Sequence, residues 1–183
     1  MEPKNALQLF SEEMSSPRVF TGSADLDLLL CGGIRPGLFY LFYGDEESGV
    51  DLLIHRIIAN ALLPREKQGL GGKVLYVNCG NYKREKTLLD LELLTGLIKA
   101  AGLDPSEALD RIYVACAFSE EQEEEIAEDL FNLLKRDREI RAVIVHNLTK
   151  LFISNSSARG NLMRKIPALE RVVELFQQVC SAQ

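Results

Sequence analysis

Short apolar runs alternate along this chain with segments whose leucines and isoleucines recur every three or four residues, and that alternation constrains the fold more than any other feature. Pro36-Gly37 marks a turn into Leu38-Phe39-Tyr40-Leu41-Phe42-Tyr43, a run whose length and aromatic content predict a strand buried on both faces. Leu52, Leu53, Ile57, Ile58 and Leu62 then follow at helical spacing, and the helix is expected to stop near Pro64. Val74 to Val77 predicts a second strand, and Leu88, Leu91, Leu94, Leu97 and Ile98 predict a helix ended by Ala101-Gly102. Asp104-Pro105 opens a short helix with a cap and a proline at its first position. Ile112 to Phe118 is a third strand, followed by a capping-box pair, Ser119 and Gln122, ahead of a helix turning Ile126, Leu130, Leu133 and Leu134 inward. Ala142 to Val145 is a fourth strand. The last helix carries Leu162, Ile166, Leu169, Val173, Phe176 and Cys180, and Pro167 requires it either to kink or to begin there. Strands that alternate with helices must be parallel and joined by right-handed crossovers, so the expected fold is a doubly wound α/β domain with helices on both faces of the sheet.

At 183 residues the chain suffices for one domain with its own core. The expected division is a short helical arm, 1–17, ahead of a core, 18–183. No apolar run approaches the roughly 20 residues of a membrane span. The N-terminus has no basic start followed by an apolar block, which gives a cytoplasmic chain, or a nuclear one in a eukaryote, as the expectation. Cys31, Cys79, Cys116 and Cys180 are scattered without metal or redox spacing and are expected to be free thiols.

In open α/β sheets ligands bind at the carboxyl ends of the strands, and a strand-loop-helix unit with two glycines is the usual phosphate cradle. Here that unit reads Gly44-Asp45-Glu46-Glu47-Ser48-Gly49-Val50-Asp51. The spacing is that of G-x-x-x-x-G-K-[ST], yet Val50 stands where a lysine would neutralise phosphate oxygens and Asp51 where a hydroxyl would hold Mg²⁺. Asp45, Glu46, Glu47 and Asp51 add four like charges, each worth roughly 4 kcal/mol of repulsion at 4 Å in an effective dielectric of about 20. The loop is expected to be a tight turn that needs its glycines and binds no nucleotide productively.

Thr21-Gly-Ser-Ala-Asp-Leu-Asp-Leu-Leu-Leu-Cys-Gly-Gly-Ile34, Gly37 and the loop at 44–51 together resemble the start of the ATPase core of RecA/RadA-type strand-exchange recombinases, in the archaeal and eukaryotic branch. The resemblance continues in Tyr76-Val-Asn-Cys-Gly80 and on to Lys86, in Gly102-Leu-Asp-Pro105, in Ile112 to Phe118 and in Val143-Ile-Val-His-Asn-Leu-Thr149, so that it spans about 18–180. It implies a RecA-like P-loop NTPase core, one that stops before the family's next core strand and therefore has a sheet edge to cover. It also implies that Cys79 stands at the catalytic glutamate position and His146 at the Walker B aspartate position. With Val50 and Asp51, four positions that grip the triphosphate, hold the metal and activate water carry other residues, and phosphoryl transfer depends on all of these.

The expectation is therefore a pseudo-ATPase without catalytic residues or cofactor, with Gly44, Ser48 and Gly49 left as the frame of a degenerate P-loop. It would be a RadA-like paralogue serving DNA recombination and repair as an accessory protein, its partner a RadA-type recombinase or another repair factor. Phe10-Ser11-Glu12-Glu13 lacks the alanine of the family's polymerisation plug, which argues against self-assembly. The alternative is a module that binds single-stranded DNA through the basic segment 135–171, where Lys150, Arg159, Arg164 and Lys165 are the candidate contacts; a DNA-dependent ATPase is the remote one. A zinc site of Cys79, His146 and Asp51 has no supporting ligand spacing, and His55 reads as a packed or surface histidine because no nucleophile accompanies it. The acidic block from Glu120 to Asp129 reads as a solvated helix face. The formal charge of -6 divides into 12 basic and 23 acidic side chains over 1–134 and 9 basic and 4 acidic over 135–183, a separation that favours an oriented contact.

Overall fold

The computed structural model describes residues 4–44, 48–80, 89–154 and 159–181. Three parallel strands, β1 (Lys73–Cys79), β2 (Ile112–Ala117) and β3 (Ile140–His146), form a sheet in the order β2-β1-β3. Val74 lies opposite Ile112 on one side of β1 and opposite Ala142 on the other, so the register places the carboxyl ends of all three strands at one edge. The helices are α1 (Ala6–Ser15), α2 (Ala24–Leu29), α3 (Val50–Ala61), α4 (Leu91–Ala100), α5 (Pro105–Leu109), α6 (Glu120–Arg136), α7 (Lys150–Ser154) and α8 (Arg159–Ser181). This is the α/β architecture the alternation predicts. Among the described residues no helix is long and apolar enough to cross a membrane.

The central strand shows why the sheet is covered on both sides. Successive side chains of a strand point to opposite faces. Val74 and Tyr76 enter one apolar cluster with Ile58, Leu62, Leu94 and Ile98 of the α3 and α4 layer, whereas Leu75, Val77 and Cys79 enter another with Leu130, Phe152, Val172 and Phe176 of the α6, α7 and α8 layer. Apart from its first residue, Lys73, β1 is buried throughout.

Local signals decide most of the boundaries. Asp104 caps α5 by accepting from the Glu107 amide, with Pro105 at the first helical position. Ser119 accepts from the Gln122 amide, and the Gln122 side chain in turn accepts from the Phe118 amide, so α6 starts where the paired residues predict. Gly102 has φ +77 just beyond α4, a left-handed stop favoured by glycine. Gly33, at φ +114, could not carry a Cβ, which would lie 2.7 Å from the Val19 carbonyl oxygen. That close approach lets Val19 and Ile34 form an antiparallel bridge, and Arg56 and Asn60 of α3 hold the same segment through the carbonyls of Gly22 and Phe20.

Three expectations need correction. Residues 38–43 form no strand: Leu38, Leu41 and Tyr43 are exposed, Tyr40 and Phe42 stack on each other with ring centroids 6.3 Å apart, and only Phe39 packs against the core. Burial on both faces requires a ladder partner, and β3 pairs only with β1 among the described residues. Of the expected α8 stripe Phe176 is buried and Leu169 packs against the core, but Val172 and Val179 take the buried places expected of Val173 and Cys180. The Leu162 side chain lies outside the described residues, and the helix runs continuously through Pro167. In α6 the buried residues are Glu123, Ala127, Leu130 and Leu134, Ile126 packs against the core as expected, and Leu133 is exposed. Leu88 and the acids Asp45, Glu46 and Glu47 lie outside the described residues.

Candidate functional site

The carboxyl edge of the sheet brings together most of the positions that the phosphate-loop spacing singles out. Gly49 caps α3 in the left-handed conformation, φ +77, and Gly44 has no room for a Cβ because Ser48 Oγ and Cβ occupy that space. The glycines of the loop are thus needed by its geometry, whatever it binds. Val50 and Asp51 form the first turn of α3, and His146 closes β3.

Asp51 and His146 meet. The Tyr76 hydroxyl lies 2.7 Å from His146 Nδ1, and His146 Nε2 lies 3.3 Å from Asp51 Oδ1. A carboxylate only accepts, so Nε2 carries the ring proton and Nδ1 accepts from the tyrosine. Burial lowers the His146 pKa, outweighing the opposite pull of Asp51, which keeps the imidazole in the neutral form that this bonding uses. Burial also raises the Tyr76 pKa, so its hydroxyl keeps its proton and donates it. A strand-end histidine and a helix-start aspartate are thus bonded to each other at this edge.

This donor set does not suit a nucleotide-bound Mg²⁺. Mg²⁺ wants several oxygen ligands in near-octahedral array, and among the described residues the site offers one carboxylate, Asp51, already bonded to an imidazole. Val50 has no charge to set against phosphate. Strand parity separates Cys79 from this chain: Tyr76 points to the α3 face and Cys79 to the α6 face, so Cys79, His146 and Asp51 do not converge as a zinc set. Among the described residues no three metal-binding side chains cluster.

His55 is a buried structural link. Its Nε2 accepts from the Asp90 amide at 2.8 Å, so Nδ1 carries the proton and donates to the Asp51 carbonyl at 2.6 Å. It thereby ties the start of α3 to the cap of α4. His55→Ala should cost about 2 kcal/mol in urea unfolding, because it orphans the Asp90 amide and opens a cavity. An unchanged midpoint would show that the two bonds add nothing.

The residue that sequence reasoning missed is Glu123. It is fully buried, and neither carboxyl oxygen has a hydrogen-bond partner among the described residues. Burial pushes its pKa up to about 8, and burial also pushes up the pKa of the neighbouring Cys79 thiol. A signal was present: 123 precedes Ala127 and Leu130 by four and seven residues, the spacing of a buried stripe.

The candidate DNA contacts lie on or near α7 and α8. Lys150 opens α7; Arg159 opens α8, with its side chain outside the described residues; Arg164 is exposed; Lys165 is ion-paired with Glu120 of α6. Arg171 extends the contact, with Nε 3.0 Å from Glu124 and Nη2 2.6 Å from Glu128. The acidic block is therefore partly buried and partly paired, not a wholly solvated face.

A parallel sheet with a glycine-framed loop entering α3 at its carboxyl edge defines a RecA-like α/β core. The sequence profile of the Rad51 family matches residues 14–182, and the chain belongs to that family. It is 32% identical over 181 residues to the DNA repair and recombination protein RadA of Metallosphaera sedula, an alignment covering 94% of this chain and 54% of that protein. A second relative, the DNA repair and recombination protein RadA of Aeropyrum pernix, is 32% identical over 169 residues, covering 92% and 50%. The chain thus spans about half the length of these relatives.

Proposed function

We propose that this chain is a non-catalytic, RadA-like accessory protein of DNA recombination and repair, which needs no nucleotide cofactor and acts by binding a RadA-type recombinase or another repair factor. The observation that carries the reading is the bonded chain from Tyr76 through His146 to Asp51. The two metal-holding positions are filled by residues that satisfy each other, and the lysine position is filled by Val50. Family membership and the names of the two relatives support the setting in recombination and repair.

Calorimetric titration with ATP, with and without Mg²⁺, should show no saturable heat. Saturable binding that requires Mg²⁺ would overturn the pseudo-ATPase reading. Co-purification with the host recombinase tests the partner, and no complex at micromolar concentration would count against it.

A second reading, contact with single-stranded DNA, draws support from α8. Arg164 is exposed and precedes Arg171 by seven residues, two helical turns, so both lie on one side of the helix.

A further inference from the structure

Part of the charge asymmetry of the sequence meets in a contact between two helices. Glu120, Glu124 and Glu128 of α6 recur every four residues, a row of carboxylates at intervals of ~6 Å along one side of the helix. Opposite them on α8, Lys165 pairs with Glu120, and Arg171 reaches both Glu124 and Glu128. The two ends of the row differ. Lys165 and Glu120 are about four-fifths buried, whereas the Arg171 side chain is 61% exposed and Glu128 is 48% exposed. Exposed ion pairs contribute little to stability and weaken with salt, so the Arg171 end can open while the Lys165 end and the apolar contacts of Val172 and Phe176 hold the helices together.

We propose that the acidic face of α6 is an internal stand-in for a phosphate backbone: it holds Arg171, and with it the basic side of α8, until single-stranded nucleic acid displaces the carboxylates. The geometry makes the exchange local. A phosphate arriving at exposed Arg164 lies two helical turns from Arg171 on the same side of α8. The guanidinium can then trade Glu124 and Glu128 for phosphate oxygens, which match its forked donors equally well. Such a contact lowers nucleic-acid affinity without removing it. It rests on the second reading above, that α8 meets single-stranded DNA.

The test uses the full chain, a fluorescent thymidine oligonucleotide and a salt series. Glu124→Gln/Glu128→Gln should bind about tenfold more tightly than the unmodified chain at low salt. Its log affinity should fall more steeply with log salt, by about 0.7 for one added phosphate contact on a single strand. Adding Arg171→Ala should cancel both changes, and circular dichroism with the thermal midpoint verifies that each variant is folded. If the unmodified chain binds and the double glutamine variant binds no better, the internal competition is overturned while the DNA reading stands. A gain that survives Arg171→Ala is general charge relief and overturns the proposal as well. If neither chain binds at the lowest salt, the DNA reading fails and the proposal fails with it.

Discussion

Stability will fall as the pH rises from about 5 to about 8, and Glu123→Met will remove that fall. The folded carboxyl is pushed up to about 8 from an ordinary value of 4.5 by its burial, which outweighs the lowering pull of the Cys79 thiol. Between those values the folded protein binds a proton that the unfolded chain has released, so stability decreases with pH across the window. The penalty is absent below 4.5 and complete above about 8. At about 1.4 kcal/mol per unit it amounts to at most about 5 kcal/mol. Methionine has a similar length, no charge and a flexible shape suited to the surrounding Ala127 and Leu130. Urea unfolding at several pH values should show no such fall for the variant, only the gentle rise up to about pH 6.5 that the depressed His146 contributes, and a gain of several kcal/mol near pH 8. Parallel curves for the two proteins would place the slope elsewhere. On the acid side the sign reverses: the hydrogen bond from Lys73 holds the Asp137 carboxyl below its ordinary range, so its contribution is lost as the pH falls through that depressed value.

His146→Ala will destabilise the protein by about 3 kcal/mol. The substitution removes the His146 acceptor of the Tyr76 hydroxyl, worth about 1 to 3 kcal/mol for a buried group, and adds the loss of the tilted contact between the two rings. Combining it with Tyr76→Phe gives a thermodynamic cycle. The double variant should cost about 1 kcal/mol less than the sum of the singles, since the hydroxyl that lost this acceptor is gone. Full additivity in thermal unfolding would mean that the tyrosine and histidine merely sit side by side, and the claim that this chain fills the metal position would lose its energetic basis.

Much of the fold is written locally. Asp104 with Pro105, Ser119 with Gln122, and Gly102 each set a helix end through bonds spanning four residues or fewer, and a reader of sequence sees all of the partners at once. The apolar run at 38–43 shows the limit of this: hydrophobicity reports a wish for burial, whereas a strand also needs an edge to pair with. Glu123 shows another, because a carboxylate in an acidic block looks solvated unless its phase is compared with Ala127 and Leu130. At the site, the residue types at Val50, Asp51 and His146 were legible in the sequence. That Asp51 and His146 bond one another, with Tyr76 behind them, was not, because β1–β3 pairing and the position of α3 bring together residues up to 95 positions apart in sequence.

The alternation along β1 separates two circuits on one strand. Tyr76 serves the histidine network on one face, while three residues on Cys79 adjoins Glu123 on the other. The strand stands between them, and the bond from Tyr76 to His146 includes neither Cys79 nor Glu123, although the Cys79 thiol still acts on Tyr76 through its charge. A single strand end can thereby be retuned in two directions, one setting how firmly the α3 loop is held and the other how the α6 layer answers to pH.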